Sequence, residues 1–523
     1  MRALPFSVLF VLLSACATQG APLASNATAN PPDAIAGKAT NGGSKTIVIN
    51  GSVTPDLFPS YIELPFEVPP GVERVTIQVE HEFKGQGVVL DLGLRDPNGQ
   101  RGWSGSNKRE LTVSAWDATP SFRVGAVVPG EWTLVMGLPA YRKDRPKADY
   151  TATIRLDFAS PDTPSSPAIP PGPISAEPGW RYGDLHNHTG HSDGSCKATT
   201  GLRVPCPTIR TLEAAHDAKL DFVAVTDHNT LAQLADLAAL APAFPDLLVI
   251  PGTEVTTFKG HANALGLSRP VEFQLGTDRL PTIDDLIDNV EAQHAILSIN
   301  HPGLATGPIC MGCGWNADTD WSRIPSIEVV NGGLLRNGQE EGPFSGIRYW
   351  ENLLNQGYRI TAVGGSDNHD ATVRSMAQQS PVGRPATAVY AQTLSIDGVN
   401  AAIRSGRVFL DLDGRTDRVL DLAFVSNGAP IHMGGELVLP EGERSTGRIV
   451  TTNASGLKID VHAHNAKAVA SSDVVPQSSE ISLEVEGGAE GGWVRVDLRD
   501  PETGRLILLG NPVYVAPSAS DGA

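Results

Sequence analysis

The 523-residue sequence has no apolar run of 18 residues or more, which excludes a polytopic membrane protein. Charged side chains are scarce, at 19% against a typical share of about 25%. Those present are unbalanced: 40 Lys and Arg against 58 Asp and Glu leave a formal net charge of −18. Such a chain repels polyanions and anionic membrane surfaces, so a general nucleic-acid binder is excluded. No P-loop is visible. What the chain does have is length for three or four domains, 41% hydrophobic residues to give each a core, and an excess of 54 Gly and 40 Pro that favours turn-rich β structure and linkers.

Cysteine is also sparse, five in all. Met1-Arg2, the apolar stretch Ala3 to Leu13 and then Leu13-Ser14-Ala15-Cys16 have the parts of a secretory signal (1–15), and the last four residues resemble a bacterial lipobox. That reading predicts an exported protein lipidated on Cys16 and held by this anchor alone on a bacterial membrane, the outer membrane facing the periplasm. In an oxidising compartment the remaining Cys196, Cys206, Cys310 and Cys313 read as two short-range disulfides. A zinc knot is the alternative, although only Cys310 and Cys313 have C-x2-C spacing.

Residues 16–44 read as a flexible tether, 45–158 as a β-sandwich accessory domain, and 159–179 as a Pro-rich linker. Alternation is clear in Tyr61 to Phe66 and Val75 to Val79, with a turn at Asp96-Pro97-Asn98-Gly99. From Trp180 short apolar strands alternate with helical stretches such as Thr208 to Lys219 and Thr282 to His294, the second opening on a capping-box pattern. That rhythm over 180–415 predicts a parallel sheet closed into an α/β barrel, and returning alternation over 416–523 predicts a second β-sandwich.

Nine of the thirteen histidines fall between His186 and His369, many just past a strand's carboxyl end, where barrel enzymes place their sites. His186 and His188, two apart in an extended segment, point the same way and can grip one ion. Five separate strand ends each supply a His or carboxylate, a donor mixture suited to Zn, Mn or Fe. By contrast, His462-Ala463-His464 in the C-terminal region is an incidental pair.

Asp184-Leu185-His186-Asn187-His188 with Ser192-Asp193-Gly194, Thr226-Asp227-His228, Pro251-Gly252-Thr253-Glu254, His301-Pro302 and Gly365-Ser366-Asp367-Asn368-His369 resemble the motifs of the PHP (polymerase and histidinol phosphatase) superfamily. Gly383 to Thr387 and Ala401 to Arg407 look like its CehA/McbA-type members, whose named examples cleave the carbamate carbaryl. The resemblance implies a distorted (β/α)7 barrel, flanked here by N- and C-terminal β-sandwiches, with two or three divalent metals. His186, His188, Glu254 and Asp367 would hold the first, Glu254 with His261 and His301 the second, and Asp193, His228 and His369 the third. Catalytic roles fall to Glu254, Asp367 and Arg384, the last as a fork for an oxyanion; Asn331 could also face the substrate, Asp227 would orient His228, and His191 sits outside the ligand set. The implied reaction is hydrolysis by a metal-bridged hydroxide, of a small phosphorylated substrate first, of a carbamate or carboxyl ester second. A non-catalytic surface binding protein is the reading from another class.

Overall fold

The structure, a computed structural model, describes residues 35–36, 43–58, 60–104, 108–119, 122–158, 173–305, 312–426, 428–477 and 480–517. Cys16 with the leader, most of the tether, most of the Pro-rich linker and Cys310 lie outside the described residues. Among the described residues no helix is long and apolar enough to cross a membrane. The chain divides into two compact units, Met1–Ala159 and Ser160–Ala523.

In the first unit buried positions recur every second residue, as at Leu64, Phe66 and Val68 and at Val75, Ile77 and Val79. Period-two burial gives each strand one apolar face, and two such faces must meet. A five-stranded and a four-stranded sheet, antiparallel throughout, do so around Ile77, Leu94, Leu111, Trp132, Leu134 and Ile154. The Asp96 carboxylate accepts the Asn98 N–H at 2.7 Å and closes the turn between Val88–Asp96 and Gly99–Ser104.

The second unit is built on strands β1 (Gly179–Asp184), β2 (Phe222–Val225), β3 (Leu248–Thr257), β4 (Gly260–Leu265), β5 (Ile296–Ile299), β6 (Ser326–Asn331), β7 (Thr361–Gly365), β8 (Ala386–Ala391) and β9 (Val408–Asp411). Pairing runs β7-β6-β5-β4-β3-β2-β1-β8-β9. β2, β5, β6 and β7 are buried at every position, the mark of a sheet covered on both faces. The helix Ile283–Glu291 supplies part of that cover through Ile283, Leu286, Ile287 and Val290, and Thr282 with Asp285 caps it reciprocally.

A (β/α)7 barrel is not what these ladders form. β1, β2, β3, β5, β6 and β7 run in one direction, but β4 is an antiparallel insertion and β8 runs antiparallel to β1, with β9 antiparallel to β8 in turn. The sequence after Glu254 keeps period two through the tight Phe258-Lys259-Gly260 turn, so it returns as a hairpin instead of crossing over as a helix. β7 and β1 meet only past their ends, where His188 N–H donates to Asn368 O at 2.9 Å and Asp367 N–H to His186 O at 3.0 Å. Lower down, the Thr387 hydroxyl of β8 bonds both the N–H and the carbonyl of Gly364.

The C-terminal strands are continuous with this sheet. β9 pairs with Leu506–Gly510, which leads to Gly492–Arg499, Val513–Ala516 and Glu436–Val438. A further five-stranded sheet joins one apolar cluster with Phe409 of β9 and Tyr182 of β1. The described residues of 416–523 thus share a core with the site-bearing strands.

Candidate metal centre

Because β1, β2, β3, β5 and β7 run the same way, the residues past or near their carboxyl ends arrive on one side of the sheet. β1 brings His186 and His188, β2 brings His228, β3 brings Glu254, β5 brings His301, and β7 brings Asp367 and His369. The β4 insertion adds His261 opposite Thr256. Asp193 comes from the loop after His188.

Glu254 lies at the centre, 1% exposed. Its Oε1 is 3.4 Å from His186 Nε2, 3.3 Å from His261 Nδ1 and 3.3 Å from His301 Nε2. Its Oε2 is 3.5 Å from His188 Nε2 and 2.9 Å from His228 Nδ1. Asp367 Oδ1 stands 3.1 Å from His188 Nε2 and 3.4 Å from His186 Nε2. Asp193 Oδ1 faces His369 Nε2 at 3.3 Å and His228 Nε2 at 3.7 Å. All nine sequence-expected ligands are therefore brought together, in overlapping groups whose donor atoms lie within 4.8 Å of one another.

Tautomers show that the donors fit cations. His301 Nδ1 lies 3.1 Å from the Cys313 carbonyl, His369 Nδ1 2.9 Å from the Asp367 carbonyl, and His186 Nδ1 3.0 Å from Glu328 Oε1. Each of these oxygens accepts, so Nδ1–H donates and each Nε2 is the ring atom turned inward, the one that would give its lone pair to a cation in place of a proton. His186 Nε2 and His188 Nε2 are 3.1 Å apart, and the buried His188 Nδ1 has no hydrogen-bond partner. Electrostatics agree. Burial alone would raise both carboxyls, yet the imidazoles, His186 foremost, hold Glu254 and Asp367 well below the carboxylate range. Burial likewise opposes charge on the imidazoles, yet the carboxylates raise His186 well above its ordinary value, His301 to about 8 and His369 to about 9. At His188 burial prevails, and the value falls to about 4. The field of the site favours positive charge. Asp367 (φ 51°) and His301 (φ 29°) adopt left-handed backbone, strain of the kind that clusters at functional sites.

Other expected residues go elsewhere. Asp227 does not orient His228: its carboxylate takes Thr189 N–H and Oγ1–H, each at 2.8 Å, and Ser192 Oγ–H at 2.6 Å. His228 Nδ1 instead meets Thr256 Oγ1 at 2.6 Å. Arg384 points to Asp413, 3.7 Å away, and among the described residues no ion pair or hydrogen bond joins it to the ligand set. His191 pairs with Asp236 at 2.9 Å, and Asn331 Nδ2 donates to Asp367 Oδ2 at 3.2 Å. His462 pairs with Asp497 and Asp460. Cys196 and Cys206 form a disulfide, and Cys313 is disulfide-bonded.

Two residues escaped the sequence reading. Asn300 donates to Glu254 Oε1 at 2.9 Å. Glu328 binds His186 through Oε1, while its Oε2 accepts His301 N–H at 3.1 Å and Asn331 Nδ2–H at 3.2 Å. The available signal was a carboxylate inside the otherwise apolar run Ile327-Glu328-Val329-Val330. Replacing Glu328 with Ala is expected to weaken metal binding about 10- to 100-fold, because His186 loses the partner that sets its tautomer. Chelator competition measures this; an unchanged affinity would remove Glu328 from the site.

No family model matches the chain, and no curated protein matches it. Among solved structures it is similar to a two-domain protein from Bacteroides vulgatus ATCC 8482 containing a predicted PHP-like metal-dependent phosphoesterase, with 19% identity, 68% of this chain and 100% of that chain covered, and a TM-score of 0.36. Aeromonas hydrophila PliG, a periplasmic inhibitor of g-type lysozyme, gives 10% identity over 23% of this chain and 92% of its own, with a TM-score of 0.16. The Podospora anserina GH26-CBM35 β-(1,4)-mannanase gives 8% over 62% and 65%, with a TM-score of 0.15. At these scores the likenesses carry no argument, and the reading of the site rests on its own geometry.

Proposed function

We propose that this chain is a metal-dependent hydrolase of a small phosphate ester. The observation that carries the reading is the convergence of six imidazoles and three carboxylates, with the Nε2 atoms of His186, His301 and His369 turned inward by separate oxygen acceptors at Nδ1. His186, His188 and Asp367 would hold one cation, Glu254 would be shared with a second held by His261 and His301, and Asp193, His228 and His369 would hold a third. Divalent cations, when bound, supply Lewis acidity and a water acidified to near neutrality. The exposure gradient gives a direction of entry: the Asp193, His228 and His369 side chains are 59%, 29% and 28% exposed, those of His186 and Glu254 1%. Substrate therefore arrives over the third group. A full third group favours phosphorus over a carbamate carbonyl, since a phosphate ester carries more charge to neutralise.

The test is a substrate panel on the chain from Ala21 onward, with Mn or Zn, before and after chelation. Phosphomonoester or phosphodiester turnover that chelation abolishes and metal restores is the expected result. Turnover of a naphthyl carbamate alone would move the reading to carbamate or ester hydrolysis, and metal binding without turnover of anything would favour a binding protein. Export with lipidation at Cys16 belongs to the same proposal; the Cys196–Cys206 disulfide supports an oxidising location.

A further inference from the structure

Asp193 is the most exposed of the nine ligands and sits on a loop, so something other than burial must place it. The loop is tied from below by Asp227, through Thr189 and Ser192, and within itself by Gly194 N–H to Thr189 O at 2.9 Å. Gly194 cannot be replaced there, since a Cβ would stand 2.6 Å from His188 O and 2.7 Å from Thr189 O. Above, Gly190 N–H donates to Cys206 O at 2.7 Å and Cys206 N–H to Gly194 O at 2.9 Å. Ser195 N–H then donates to the carbonyl of His369 at 2.7 Å. The residue after Asp193 and the residue after that thus lock onto Cys206 and onto a second ligand.

Those ties run through a hairpin of two three-residue strands, Ser195–Lys197 and Arg203–Pro205, the second exposed along its whole length. Two such strands do not hold together alone in water. The fastening is the Cys196–Cys206 disulfide, whose cysteines are 3% and 1% exposed and pack into one apolar cluster with Leu212, Val223, Ala371 and Val382. Arg203 completes a clasp, reaching Asp370 Oδ2 at 3.2 Å beside His369 and bonding the Ser195 carbonyl.

We infer that the Cys196–Cys206 disulfide is a positioning element for the exposed cation group: it staples the hairpin that sets Asp193 against His369, so losing this bond weakens cation binding by Asp193, His228 and His369 while the buried groups persist. The inference rests on the metal reading above. The test is Mn2+ titration of the full chain carrying Cys196→Ala and Cys206→Ala, which leaves the Cys313 disulfide intact, with amide hydrogen exchange read in parallel. The expected result is one Mn2+ equivalent weakened about 10-fold or more, the others unchanged, and faster exchange at Gly194 and Ser195. Equal affinity for every equivalent together with wild-type exchange at Ser195 would overturn it. So would a uniform loss of all equivalents with faster exchange throughout the unit. Should the double variant fail to fold, Arg203→Ala opens the clasp without touching the disulfide and must show the same selective loss, at smaller size. A wild type that binds no Mn2+ overturns the metal reading and this inference with it; a wild type that binds and a variant that binds identically overturns this inference alone.

Discussion

On the proposed hydrolase reading, Glu254→Gln is expected to lower kcat/KM by roughly 10³-fold or more, the scale of losing about 4 kcal/mol of charge stabilisation. The carboxylate faces five imidazole nitrogens at 2.9–3.5 Å and accepts from Asn300, so its two oxygens are shared by every histidine of the two buried groups. Glutamine keeps the shape and removes the charge. It also replaces one of the two oxygens by an amide N–H2, which neither binds a cation nor accepts from a protonated imidazole, so metal content should fall along with rate. Circular dichroism and bound metal are measured beside the kinetics. A variant within tenfold of wild type, folded and fully loaded, would remove Glu254 from the chemistry; wild type and variant equally inactive on every ester would leave the hydrolase reading without support.

The second large effect is on stability, far from the site. Arg495→Met is expected to cost about 3–5 kcal/mol, because it takes from the buried Asp497 carboxylate its arginine partner. Arg495 is 2% exposed, binds Asp497 Oδ2 at 3.1 Å and Glu351 Oε1 at 2.7 Å, and lies over the Trp350 and Trp493 rings. Burial would raise the Asp497 carboxyl, but Arg495 and His462 draw it down to about 2. Its folded value is thus depressed below the unfolded 3.8, so the pair contributes roughly 2 kcal/mol at neutral pH, lost as pH falls from about 4 through 2. Without Arg495, His462 and the Gly510 N–H that donates to Asp497 Oδ1 at 3.2 Å are left to oppose burial, and this acid-dependent loss shrinks or reverses. Urea denaturation at pH 7 and pH 3 reads both effects, and Asp497→Asn in the same chain should restore part of the loss. A variant within 1 kcal/mol of wild type would show that Trp350 and Trp493, not the ion pair, hold this region.

The ligand set was legible for a local reason. His186 and His188 lie on one side of an extended segment whatever the rest of the chain does, and their Nε2 atoms do face each other at 3.1 Å. The capping box at Thr282 and the strand positions are equally local. Glu328 and Asn300 were not legible, because a carboxylate or amide inside a strand announces burial without naming its partner, and their partners lie 142 and 46 residues away. The same holds for Asp227, which turned to Thr189 and Ser192, and for Arg384, which turned to Asp413.

By itself, then, the sequence determined the period of each strand and helix, the donor types at each strand end and the acidic balance of the chain, since these depend on neighbours within a few residues. Only the tertiary structure decided which strands pair across the sheet, that Leu506–Gly510 extends the site-bearing sheet at β9, and that a stapled hairpin sets Asp193 against His369. Those contacts join segments far apart in the chain, Phe409 with Gly510 and Ser195 with His369, and periodicity says which face of a segment is buried but not what buries it.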